Sequence, residues 1–167
     1  MRLVGRGSVS GVSYDLQAVI ARSEVLLSCA DDLPSARLGV LEQGLAIMPM
    51  TDDLFDAVTD GSAGALGFWS LPGGFDGVLA RWSVGGPVAY VEAEYFGGVG
   101  SQRAAVWAGG GLILGPLQVA EHEPFPERGS PISQALRRLG GFRGHAVDEF
   151  AAVGLPRHRH GSDWISR

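Results

Sequence analysis

Apolar residues change period part-way along the chain. Before Gly85 they recur mostly three and four positions apart, the spacing of one helix face, whereas from Val88 they alternate, the spacing of a strand. Ser13 is suited to cap a helix whose apolar face runs Leu16, Val19, Ile20 and Leu27, with Asp15 near its positive end and a stop near Asp31 and Pro34. Residues 45–50 form a short apolar run in which Pro49 holds Met48 extended, so an edge strand or extended segment is expected. Thr51, followed by Asp52 and Asp53, should cap a second short helix carrying Leu54, Phe55 and Val58 and closed by Asp60 and Gly61. A third helix is predicted from the stripe Phe75, Val78, Leu79 and Trp82, between Pro72-Gly73-Gly74 and Gly85-Gly86-Pro87.

In the second half, residues 88–96 and 102–108 flank a glycine-rich turn, Gly97 to Ser101, and read as an antiparallel hairpin. A turn at Gly109-Gly110-Gly111 leads to a third strand over residues 112–114, ended by Gly115 and Pro116. Residues 119–129 lack any period and read as an exposed loop. Ser130 and Pro131 then open a helix with the stripe Ile132, Ala135, Leu136 and Leu139, closed by Arg137, Arg138 and Gly140. A last short helix is expected around residues 147–153, ended by Gly154 and Pro156. The pattern therefore predicts one α+β domain over residues 1–167, a three- or four-stranded, largely antiparallel meander packed against short helices. A flexible N-terminus (about residues 1–11) and a basic C-terminal tail (about residues 156–167) flank it.

Composition narrows the chemistry. With 46% hydrophobic and 19% charged residues, the 167-residue chain has the apolar surface to fold alone, and its 26 glycines favour tight turns over long helices. All thirteen basic residues are arginine, so a phosphate-loop lysine, a Schiff-base lysine and a lysine base are unavailable; this points to a GC-rich bacterial source. A net charge of −5 argues against nucleic acid and anionic membranes as partners and in favour of a basic protein. The single cysteine, Cys29, cannot form an intrachain disulfide and reads as a small apolar residue in a reducing, cytoplasmic setting. Neither a secretory leader over residues 1–11 nor a membrane-spanning run is evident.

The residues with most chemical promise share one strand. Tyr90, Glu92, Glu94 and Phe96 lie two apart and should point to one face, with Val91, Ala93 and Tyr95 on the other. Two carboxylates so placed suit acid–base work, a cation, or simply a solvated face paired with Arg81 or Arg103, and ion pairing is the commoner outcome. The Gly97-Gly98-Val99-Gly100 loop could aim amides at an anion, but a strand follows it rather than a helix, which favours a plain turn. His158 and His160 flank Arg159 in the tail, with His122 and His145 remote. That is not the ordered spacing of a zinc site, so no metal and no cofactor is expected. No nucleophile elbow of the G-x-S-x-G kind occurs. Trp69, Trp82, Trp107 and Trp164 read as core or core-edge residues, with Trp164 able to dock the tail on the domain.

The run from Tyr90 to Gln102, Y-V-E-A-E-Y-F-G-G-V-G-S-Q, resembles the central signature of a family of small uncharacterised bacterial proteins. Gln43-Gly44, Pro49 to Asp52, Trp107, Gly115-Pro116, Pro131 to Leu136 and Gly154 to Arg159 are similar to it as well. The resemblance covers most of the chain from about Leu41 and implies a single-domain bacterial protein, with no established activity attached. The expectation for function is a protein-binding, immunity-type module that neutralises a basic toxin through Tyr90, Glu92, Glu94, Phe96 and Gln102, the Glu92/Glu94 face serving recognition. The alternative is a small enzyme, a hydrolase, using Glu92 or Glu94 with Gln102; a concave pocket over the strand would favour it and a flat acidic face would favour binding. The sequence does not determine the oligomeric state.

Overall fold

A computed structural model describes residues 13–165. The expected N-terminal flexibility and the absence of a leader fall on residues outside that range. Six strands, β1 (Ser13–Arg22), β2 (Gly39–Val40), β3 (Leu45–Pro49), β4 (Val88–Phe96), β5 (Val99–Ala108) and β6 (Gly111–Val119), form one antiparallel sheet in the order β2-β3-β1-β4-β5-β6. Five short helices accompany it: α1 (Ser23–Ala30), α2 (Asp52–Val58), α3 (Phe75–Trp82), α4 (Pro131–Arg138) and α5 (Glu149–Ala152). The α+β class stands; the sheet has six strands, not three or four.

The extra strands come mainly from residues 13–22, which are extended and central rather than helical. Leu16, Ala18 and Ile20 point into one core, while Val19 and Ala21 point into the other. A strand buried on both faces carries an unbroken apolar run, and Ala18-Val19-Ile20-Ala21 imitates helix spacing only because both faces need apolar residues. The helix assigned there begins ten residues later, at Ser23. The 45–50 run is likewise not an edge, since β3 is fully buried between β2 and β1; Pro49 is tolerated because it is the last residue of the strand.

Each sheet face is covered. On one lie Ile132, Ala135, Leu136 and Leu139 from the α4 region, with Val153, Leu155 and Trp164 from the chain's last described turns. On the other lie Leu26, Leu54, Phe75 and Leu79 from α1, α2 and α3, joined by Phe68 and Leu71 from the loop between α2 and α3. The C-terminal segment is anchored to the domain by buried Leu155 and Trp164, while Arg157, Arg159, His160 and Asp163 between them stay exposed. Two short 3-10 turns, Leu155–Arg157 and Gly161–Trp164, bring Trp164 to 8% exposure, and His160 bridges to Asp15 on β1.

The hairpin pairs Val88↔Trp107 through Phe96↔Val99. Its turn is tighter than the expected 97–101 loop. Gly97 and Gly98 alone make it, at φ +61° and +84°, the two successive left-handed residues that a two-residue hairpin matching strand twist requires. β6 also outruns its expected stop, passing Gly115-Pro116 through register shifts opposite Ala104 and Val106 and continuing to Val119.

Two of the three anticipated helix caps form: Thr51 Oγ1 accepts from the Leu54 amide at 3.1 Å, and Ser130 Oγ accepts from the Ser133 amide at 3.1 Å, whereas Ser13 opens strand β1 instead. Ser130 is buried, so water cannot replace it. Ser130→Ala is expected to destabilise the domain by about 1 kcal/mol in urea unfolding, the typical loss for a removed cap. No measurable change would show that α4 is held by its apolar stripe alone.

Candidate functional site

Register divides the strand face singled out above into two environments. Tyr90 and Glu92 lie under the loop between α2 and α3 and are fully buried, whereas Glu94 and Phe96 run past the edge of that loop into solvent. The loop is fastened by Glu92 itself. Its Oε1 accepts the Trp69 amide at 2.6 Å; its Oε2 accepts the Ser70 amide at 2.6 Å and the Tyr90 hydroxyl at 2.8 Å. Arg103 stands directly across the ladder, donates to the Gly67 carbonyl, and lays its guanidinium over the Trp69 ring at 4.1 Å. Burial raises the Glu92 carboxyl above its ordinary range, against the pull of the two amides, the Tyr90 hydroxyl and the Arg103 charge. Burial, reinforced by the neighbouring Glu92 charge, also drives the Tyr90 phenol well up.

Gln102 belongs to the opposite side of the sheet. Its Oε1 accepts the Ile132 amide at 3.0 Å, tying the first turn of α4 to β5, and Ala93, its ladder partner, lies in the core on that side. Of the five residues singled out, Tyr90 and Glu92 are thus brought together with a loop, Glu94 and Phe96 with solvent, and Gln102 with neither group. The hydrolase constellation of Glu92 or Glu94 with Gln102 is not assembled, because the sheet lies between them.

Comparison with protein-family models, curated proteins and solved structures gives no match. The chemistry of the site has to be read from its own geometry.

At the end of the sheet where Glu94 and Phe96 emerge, the starts of β1 and β5 and the chain after β6 enclose a cleft of about 430 Å³. Asp15, Glu94 and Glu121 supply its carboxylates, and His160 its nitrogen base. Asp15 and Glu94 are direct ladder partners, so their side chains share one face of the sheet at neighbouring positions. The Gln17 amide holds Asp15 at 2.8 Å, and among the described residues neither carboxylate has a cationic partner. A second cleft of about 390 Å³ adjoins on the other side of the hairpin tip, lined by Val99, His122, Glu123 and Phe125 among others. Phe96 is 67% exposed and Phe125 48%, so aromatic surface stands beside the acidic residues.

Tyr14 and Asp15 were not legible as site residues, because placing residues 13–22 on a helix removed them from the sheet end; His160 was read as part of the basic tail, and its bridge to Asp15 joins residues far apart in sequence. A signal was available: Ser13 to Gln17 alternates as well as β4 does. The Trp69 and Ser70 amides carried none, since any residue type supplies a backbone N–H. Among the described residues no three His, Cys, Asp or Glu side chains are grouped to hold a metal ion. No described helix is long and apolar enough to cross a membrane.

Proposed function

We propose that this protein is a binding module for a basic protein, with the sheet-end cleft as the contact surface and neutralisation of that partner, in the manner of an immunity protein, as its role. The observation that carries the reading is the Asp15–Glu94 pair. Like charges directly opposite in a ladder destabilise a sheet by a few tenths of a kcal/mol to about 1 kcal/mol, and an arginine or lysine from a partner converts that repulsion into attraction. Exposed Phe96 and Phe125 provide aromatic anchors next to the charge, the combination found at energetically dominant contacts. The net charge of −5 adds long-range steering toward a cationic surface. Glu92 enters this reading as the residue that holds the neighbouring loop in place and not as a contact.

The test pairs stability with binding. Asp15→Asn with Glu94→Gln should leave the melting temperature unchanged or raise it slightly. It should also weaken binding of an arginine-rich, aromatic-containing peptide about tenfold or more, as expected for loss of a buried charge contact. Amide chemical-shift changes on peptide addition should centre on residues 15, 94–101 and 121–125. Shifts spread evenly over every acidic residue, or a double variant that binds as the wild type does, would refute the cleft as the contact surface.

A further inference from the structure

The chain enters the sheet at the rim of the cleft. Ser13, the first residue of β1, pairs with Phe96, the last residue of β4, and both line the cleft of about 430 Å³ together with Asp15 and Glu94. Past Phe96 the chain turns back through Gly97 and Gly98, so β4 offers residues 1–12 no further ladder partner. Residues 1–12 therefore join the domain beside exposed Phe96 and Val99.

Their sequence complements that surface. Arg2 and Arg6 are their only charged residues; the eleven other arginines against eighteen acidic residues leave −7 on the rest of the chain. Leu3 and Val4 stand between the two arginines, and Gly5, Gly7, Ser8, Ser10 and Gly11 make up most of the remainder. Arg6 is seven residues from Ser13, a reach of up to roughly 24 Å, whereas Asp15 lies only about 7 Å into β1 at strand rise. The tether is long enough to double back. The aromatic cleft shares Tyr95, Val99 and Gly100 with the acidic one, so a segment seated in the first has its neighbours over the second.

We infer that residues 1–12 are an internal occupant of the sheet end, with Arg6 between Asp15 and Glu94 and Leu3-Val4 against Val99 and Phe125, and that a basic partner gains the cleft by displacing them. Three features select this segment. It leaves from the rim of the site. Its charges are of the sign that relieves the repulsion between Asp15 and Glu94. Its covalent tether holds those charges at an effective concentration on the order of millimolar, above what a free partner reaches. The inference rests on the proposed reading of the sheet end as a cation-binding surface and supplies its regulation: weak, singly charged ligands are kept out, and a partner with several cations displaces the segment.

The test is Arg2→Gln with Arg6→Gln in the full chain. Amide chemical shifts of this variant should differ from wild type at residues 15, 94–101 and 121–125 as well as around the substitutions. Raising ionic strength from about 0.02 M to about 0.5 M should move the wild-type shifts toward the variant's and leave the variant's nearly still. The variant should bind the arginine-rich, aromatic-containing peptide about threefold more tightly or better, as expected when the free fraction of the cleft rises. Arg143→Gln, the same change at an exposed arginine of the loop after α4, should do none of this. Shift changes confined to residues 1–12, or equal and measurable peptide affinity in both proteins, would overturn the inference; in the second case the external partner stands. Cleft shifts that move as expected while neither protein binds the peptide would uphold the internal occupant and refute the external partner.

Discussion

Glu92→Ala is expected to remove about 3 to 5 kcal/mol of stability, the largest loss from any single acidic residue in the chain. The carboxylate has no exposure, and three donors depend on it: the Trp69 amide, the Ser70 amide and the Tyr90 hydroxyl. Without it each donor is left under the loop with no acceptor, at about 1 to 3 kcal/mol apiece before relaxation. Domains of this size are stable by only about 5 to 15 kcal/mol, so the loss takes a large part of the whole margin. Glu92→Gln keeps one acceptor oxygen but turns an NH2 toward donors, and should lose an intermediate amount. Glu94→Gln, in solvent two residues away, should fall within about 0.5 kcal/mol of wild type. Urea unfolding of the three variants is the measurement; a loss below about 1 kcal/mol for Glu92→Ala would show that the loop is held by Phe68 and Leu71 alone.

The same residue predicts a pH trend. Burial holds the folded-state pKa of Glu92 above the ordinary 4.5, so between those two values the native state binds a proton that the unfolded chain releases. Its contribution is then fully present below 4.5 and declines as pH rises through the raised value. The stability margin of wild type over Glu92→Gln should accordingly widen from about pH 7 toward about pH 5, and paired urea melts at the two values check the sign.

Gly100→Ala should be nearly as damaging, by about 3 kcal/mol, for an unrelated reason. A methyl group at Gly100 would overlap the Glu94 carbonyl oxygen and come within 2.6 Å of the Tyr95 Cα, both backbone atoms that cannot rotate away. The strands would have to separate where Gly100 faces Tyr95, loosening the wall of the acidic cleft. Gly97 and Gly98 are the informative contrast. Alanine at either meets nothing within 4 Å, and the penalty is only that of a left-handed φ, about 1 to 2 kcal/mol. A Gly100→Ala melting curve superimposable on wild type would show that the hairpin has room for a methyl group at that position.

What could be read from the sequence follows the physics of each element. The Thr51 and Ser130 caps, the Phe75 and Ile132 stripes and the Val88 hairpin were legible because each is decided by residues within one or two turns of itself. β1 was not, because a strand covered on both sides loses the alternation that identifies a strand, and what covers residues 13–22 is distant in sequence. The site suffered the same fate. Periodicity correctly grouped Tyr90, Glu92, Glu94 and Phe96 on one face, but which pair is buried depends on how far the 60–74 loop reaches over the sheet. That reach is set by Glu92 meeting two backbone amides, contacts with no residue signature.

The position of β1 also has a bearing on how the chain reaches this structure. Its partners in β4 are 67 to 83 residues away, from Ala21↔Val88 to Ser13↔Phe96, so the middle of the sheet can be knit only after a long stretch of chain has been made and its ends brought together. Contacts of that separation slow folding by orders of magnitude relative to helical bundles of equal stability, which puts this domain in the millisecond-to-second class. During that interval Val19 and Ile20 lie in a strand whose β4-facing edge is open, an apolar segment available to any other extended chain. Refolding yield should therefore fall with protein concentration well before stability becomes limiting.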